Sequence, residues 1–239
     1  MNESKYPLVI VAAPQHESKA YCQDEWIENV KNFTYPNFEI FLSDNSPTDK
    51  NKQELKKHGI KCHWVKPKKK EHSFETIDRS HAQCAEYALK KNAALLHLET
   101  DVFPPINVIE RLMAHKKLVV GGYYDIFYGS KRKLMVQTFE EYGRHVRAFR
   151  TAPFVEEQEP LFISGELEQV YHVGLGCVLI QPEVLRRVPF RVNMNYAFHS
   201  DTWFANDCFV QKIPIYCDKS LSCKHKNNTW LGKIKTITE

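Results

Sequence analysis

The uninterrupted apolar run "LVIVAA" at residues 8–13 constrains this chain more than any other feature. Side chains alternate faces along a strand, so a run with no polar interruption needs an apolar cover on both sides. The signature returns at "ALLHL", residues 94–98, and the segments between the two runs change period. "SKAYCQDEWIENVKNF" places Cys22, Trp26 and Val30 four apart, which predicts one amphipathic helix over 18–33. "NFEIFLSDNSPTD" reads as a second strand entering a polar turn, and "KKHGIKCHWVKP" as a helix end at Gly59 before a third strand. A basic connection, "KPKKKEH" at 66–72, leads to a helix with Ile77, Ala85, Ala88 and Leu89 on one face. Strand and helix alternate to about residue 120, which predicts an α/β fold around a mostly parallel, doubly wound sheet.

Past residue 118 the chain turns strand- and loop-rich to about residue 173, with "LMVQTF", "HVRAF" and "QVYHV". "VGLGCVLIQPEVLRRV" restores strand-then-helix, "HSDTWFANDCFVQ" reads as a helix, and "IPIYCDKSLSCKHKNNTW" as a strand with an irregular tail. No repeat or linker divides the 239 residues, so a single domain is expected. Lys and Arg number 33 against 29 Asp and Glu; the net charge of +4 suits an anionic ligand and is too small to imply nucleic acid. No apolar run approaches the ~20 residues that span a bilayer, and the N-terminus reads as a strand, not a signal peptide. Seven cysteines without a CxxC pair fit buried thiols in a reducing, cytoplasmic setting.

The run at 94–98 ends in Glu99-Thr100-Asp101. Residues two apart in an extended segment share a side, so both carboxylates are expected to project from the carboxyl end of a central strand. Ligands of open α/β sheets bind beyond those ends. Converging carboxylates repel unless a cation lies between them, and oxygen donors suit Mg²⁺ or Mn²⁺ with phosphates completing the shell. The competing expectation is that Thr100 or Asp101 caps the helix after Pro104-Pro105.

Four blocks in order, "PLVIVAAPQHES", "FEIFLSDNSPTD", "LLHLETDVFPP" and "VGLGCVLIQPEVL…HSDTWFANDCF", resemble the GT-A-fold nucleotide-sugar glycosyltransferases of the family 2 type, over roughly residues 7–225. The resemblance implies a nucleotide-sugar-binding half at about 1–117, an acceptor-binding and catalytic half at about 118–225, and a tail at 226–239. It places Pro14 and Glu17 in the loop meeting base and ribose, Asp44 and Asn45 at the nucleobase, and Arg79 within reach of a diphosphate. Asp101 matches the metal-holding acid of the family's Asp-x-Asp motif. Glu99 stands where the first Asp would be and, with Thr100, faces the sugar or ribose. Asp201 in "FHSDTWF" matches the catalytic base, although Ser200 replaces the acid usually before it, and His225 matches a late histidine that completes the metal shell. Gly174 and Gly176 are expected to let the backbone approach sugar or acceptor, while Trp203 and Trp230 either stack on a sugar or fill the core.

The implied activity is metal-dependent transfer of a sugar from a nucleoside diphosphate donor, UDP being commonest, to a hydroxyl acceptor. Inversion follows if Asp201 is the base. Each role has a plain rival. The rivals are a turn formed by Asp44, a solvated face for Arg79, and a helix cap from Ser200 and Asp201, with His199 a weaker base. A retaining transferase and a nucleotidyltransferase remain open, though "AAPQHES" lacks the Gly-rich basic loop of the latter. A zinc cluster of Cys208, Cys217, Cys223 and His225 fits no common spacing. Lys66 to Lys70 could form a nucleic-acid patch, so the acceptor could be a glycan or a modified nucleic-acid base.

Overall fold

The computed structural model describes residues 6–128, 131–142, 145–151, 167–195, 199–228 and 234–237. In it the run at 8–13 lies in β1 (Val9–Gln15), inside a sheet of which eight strands are described. Ile10 and Ala12 join one core cluster with Cys84 and Ala88. Val9, Val11 and Ala13 join another with Trp26 and Val30. The cover on both faces demanded by the sequence is therefore supplied by α1 (Gln23–Lys31) and by the long helix near residue 80.

β1 is followed by β2 (Phe38–Asp44), α2 (Lys50–Lys57), β3 (Lys61–Trp64), α3 (Ser73–Lys90) and β4 (Ala94–Leu98). Gly59 takes φ 76°, a left-handed turn that releases the chain from α2 into β3. α3 begins with a reciprocal cap in which His72 Nδ1 accepts from the Phe74 N–H and Glu75 accepts from the His72 N–H. Then come β5 (Val102–Phe103), α4 (Val108–Ala114), β6 (Val119–Tyr123), β7 (Asp125–Tyr128), β8 (Lys131–Leu134), β9 (Val136–Tyr142) and β10 (His145–Thr151). β11 (Leu167–Val170), β12 (His172–Val173), β13 (Cys177–Ile180), α5 (Pro182–Arg187), α6 (Ser200–Val210), β14 (Ile215–Ser222), β15 (Lys224–Asn228) and β16 (Ile234–Ile237) complete the described chain.

The sheet order is β11-β14-β6-β13-β4-β1-β2-β3. β1 runs parallel to β2 and β4, β2 to β3, and β6 to β14. β13 lies antiparallel between β4 and β6, and β11 antiparallel to β14, so the mostly parallel sheet carries a reversed strand near its centre. The strands step outward from β1 to β3, and α3 then returns the chain to the other side of β1 at β4. The order thus reverses between β1 and β4, where an open α/β sheet forms its crevice.

Three expectations change. The helix over 18–33 is two pieces, a 3₁₀ turn at Glu17–Cys22 and then α1. The His16 side chain caps the first turn, and the break leaves Lys19 outside the regular helix. The extended acid triplet is a turn, because β4 stops at Leu98 and the Val102 N–H donates to the Glu99 carbonyl at 3.0 Å. The irregular tail includes β15, paired with both β5 and β16.

Candidate active site

The crevice between the ends of β1 and β4 opens into a cleft of about 870 Å³. One side is the end of β1 and the turn after it, with Pro14, His16 and Lys19, and another is α3 with Thr76, Ile77 and His81. Glu99, Tyr124 and His225 line it as well, together with His199, Ser200 and Asp201 at the start of α6.

The acids converge through the turn. Lys19 Nζ lies 2.8 Å from Asp101 Oδ1 and 3.6 Å from Glu99 Oε2. Antiparallel pairing sets His225 opposite Val102, which carries its Nε2 to 3.7 Å from Asp101 Oδ2. His225 Nδ1 is 2.7 Å from the Asp125 carbonyl, an acceptor, so this nitrogen carries the proton and Nε2 is the one turned to the acids. Neither Thr100 nor Asp101 caps α4, whose N-cap is Asn107. The Thr100 hydroxyl, 1% exposed, is spent on the Gln15 side chain.

Charge follows this geometry. Burial would raise the Asp101 carboxyl, yet the Lys19 ammonium and His225 outweigh it and hold the group well below the usual carboxylate range. Burial raises Glu99, and the Asp101 charge adds to that against the pull of Lys19. Burial opposes the charged forms of Lys19 and His225, but the two acids keep both above their ordinary values.

Across the cleft, Asp201 Oδ1 accepts from the Thr202 N–H at 2.7 Å, and Oδ2 faces His172 Nε2 at 3.8 Å. The N-cap of α6 is His199, without a side-chain capping bond, so neither Ser200 nor Asp201 spends its side chain as the cap. His199 instead packs its ring on Phe74, centroids 4.0 Å apart. His172 is buried, burial lowers its pKa, and neither ring nitrogen has a hydrogen bond.

The remaining candidates scatter. Pro14 and Asn45 line the cleft. Glu17 is exposed, and its N–H donates to Ser46 Oγ at 2.9 Å. Asp44 is wholly buried; its Oδ1 accepts from the Ser46 N–H, the Ser46 hydroxyl and Asn51 Nδ2, which fastens the turn after β2 to α2. Arg79 makes a two-pronged pair with Glu71 at 2.7 and 2.8 Å and donates to the Lys66 carbonyl, tying down the basic connection rather than lining the cleft. That pair, foremost among its causes, lowers the Glu71 carboxyl to about 2. Gly174 and Gly176 are buried against Tyr124, which fills the space a Cβ would need. Trp203 lies on α6 beneath the Arg191 guanidinium, 4.4 Å from the ring centre. Trp230 is outside the described residues.

Sequence reasoning missed Lys19, the sole Lys or Arg among the described residues lining the cleft. Its spacing in "HESKAYC" resembles any helix start, and its partner Asp101 is 82 positions away. It also missed His81 and His97, which read as helix and strand interior. Among the described residues no three His, Cys, Asp or Glu side chains stand together as a ready metal cage, for zinc or any other ion. The donor types at the acid turn, two carboxylates and an oriented imidazole, are of the kind that suits Mn²⁺ or Mg²⁺, with the Lys19 ammonium standing on the carboxylate oxygens here.

No family model matches the sequence, and no curated protein matches it. Among solved structures the chain is similar to GalNAc-T7 with UDP, GalNAc and Mn²⁺, with a TM-score of 0.61 at 12% identity over 93% of this chain and 44% of that one. It is also similar to S. aureus TarS 1–349, with a TM-score of 0.54 at 12% identity over 90% of this chain and 60% of that one. The complex of TarS 1–349 with UDP-GlcNAc gives 0.52 at 12% identity, over 90% and 58%. The chain spans about half the length of these structures, and the fold they share with it is GT-A.

Proposed function

We propose that this chain is a metal-dependent glycosyltransferase that moves a sugar from a nucleoside diphosphate donor, a UDP-sugar foremost, to a hydroxyl acceptor with inversion. One observation carries the reading. At the switch point of a GT-A sheet, Glu99, His225 and Asp201 line one cleft, and Asp101, buried just behind it, is met by both Lys19 and His225. The bound UDP in GalNAc-T7 and the UDP-GlcNAc in TarS support the donor class, and the Mn²⁺ in GalNAc-T7 supports the metal.

Asp101 and His225, with Glu99 beside them, would hold a divalent ion, which when bound neutralises charge on the departing diphosphate. Pro14 and Asn45 form the end of the cleft suited to base and ribose. Asp201 takes the proton of the acceptor hydroxyl at its Oδ2, since Oδ1 is engaged by the Thr202 N–H. With Asp201 as the base, attack comes from the face away from the diphosphate, which is the inverting course. The acceptor is a glycan or a modified nucleic-acid base, and the exposed Lys66, Lys68, Lys69 and Lys70 beside the cleft residue Pro67 favour an anionic one.

A thermal-shift panel of nucleotide sugars with and without Mn²⁺ tests this. Stabilisation by one donor that requires the ion and disappears in Asp101→Ala is expected, and indifference to every nucleotide ends the reading. NMR of the product's anomeric configuration tests inversion; retention removes Asp201 from the base role.

A further inference from the structure

Behind the α3 wall of the cleft two imidazoles are joined in series. His97, fourth in β4 and 0% exposed, has Nδ1 2.5 Å from the Leu175 carbonyl oxygen. Its Nε2 is 2.8 Å from Nδ1 of His81, a buried residue of α3 that lines the cleft. The proton positions follow by elimination. A carbonyl only accepts, so the proton of His97 is on Nδ1. A neutral imidazole has a single N–H, which leaves His97 Nε2 as a lone pair. His81 must therefore donate from Nδ1, and its own Nε2 is a lone pair with no hydrogen-bond donor among the described residues. Both rings are buried, and the 2.8 Å approach of one ring nitrogen to the other leaves room for a single proton between them.

We propose that His81 Nε2 is an acceptor-only anchor that receives a hydrogen bond from a hydroxyl or amide N–H of the transferred sugar, its polarity fixed by the Leu175–His97–His81 chain. The position selects the sugar over the nucleotide. His81 lines the same cleft as Lys19 and Glu99 at the acid turn and as His199 and Asp201 at the start of α6, so its ring shares the space a donor sugar would occupy. Ring contacts with His97 and Phe190, centroids 4.8 and 5.2 Å away, hold its orientation. A fixed lone pair accepts from a sugar N–H or O–H and gives nothing to a deoxy position, so it distinguishes sugars that differ in one group.

This anchor rests on the glycosyltransferase reading, and the test separates the two. Long-range ¹H–¹⁵N NMR of the full chain labelled at histidine should show His81 and His97 as Nδ1–H tautomers. The His81 Nε2 resonance should shift when UDP-sugar is added and stay in place with UDP alone. His81→Phe should weaken UDP-sugar binding by about tenfold while leaving UDP affinity unchanged, and His81→Gln, whose amide oxygen accepts, should recover part of the loss. An Nε2–H tautomer at His81, or equal weakening of UDP and UDP-sugar, overturns the anchor alone. Failure of the wild-type protein to bind any nucleotide or nucleotide sugar overturns the anchor together with the activity beneath it.

Discussion

Lys19 Nζ sits 2.8 Å from Asp101 Oδ1 and 3.6 Å from Glu99 Oε2, so the chain supplies a cation of its own where two acids converge. On the proposed function, a divalent ion would compete with this ammonium for the same oxygens. In Lys19→Met the carboxylates lose their resident partner, and Mn²⁺ should bind about tenfold tighter than to wild type, read by titration with electron paramagnetic resonance. Without metal the variant should be less stable by about 1–2 kcal/mol, because the Lys19 side chain keeps 29% of its exposure and its pairing is partly screened. Mn²⁺ binding that is unchanged or weaker in Lys19→Met removes the competition.

Asp201 holds its carboxylate by one oxygen and presents the other, the arrangement a base needs. Asp201→Asn keeps the shape and removes the proton acceptor. The turnover number should fall by about 10²–10⁴ while donor affinity stays within about twofold of wild type. A loss under tenfold in steady-state assays would return Asp201 to a structural role.

The parts of this molecule legible in its sequence are those with local signals. The runs at 8–13 and 94–98 announce strands covered on both faces because apolar continuity leaves no solvent side. The acids at 99 and 101 are legible as residue types, but an extended strand is what their spacing predicts and a turn is what brings them together. The approach of His225 depends on β15 pairing with the two-residue β5, a contact between distant segments that neither announces. Lys19 and the His81–His97 pair are not legible for the same reason: each is defined by a partner on another element, not by its neighbours in sequence.

Gly176 has no room for a side chain, because a Cβ there would run into the Tyr124 ring. That ring is a wall of the cleft, meets His225 edge-on with centroids 5.1 Å apart, and its hydroxyl accepts from the Gly176 N–H at 3.1 Å. Gly176→Ala should destabilise the protein by about 1–3 kcal/mol and push Tyr124 toward the acids, weakening donor and Mn²⁺ binding together. Denaturant unfolding and calorimetric titration read the two effects; wild-type stability in Gly176→Ala would show that Tyr124 yields freely.

Asp78 on α3 gives the chain a pH dependence of opposite sign to that of a paired acid. Its Oδ1 is buried without a hydrogen bond, and the nearby Arg191 guanidinium is committed to Asp207 at 2.6 and 2.7 Å. Burial pushes the carboxyl up to about 6, against a modest pull from Arg191. The folded value lies above the unfolded one of about 4, so between them the folded state binds the extra proton and stability falls as pH rises. Above about pH 6 the whole cost is present, about 1 kcal/mol once the partial solvation of the group is allowed for. Asp78→Asn carries no charge to bury. Urea unfolding should find it as stable as wild type near pH 4 and about 1 kcal/mol more stable at pH 7.5. A difference that stays constant across that range, or a variant weaker at pH 7.5, would mean that Asp78 is stabilised as an anion.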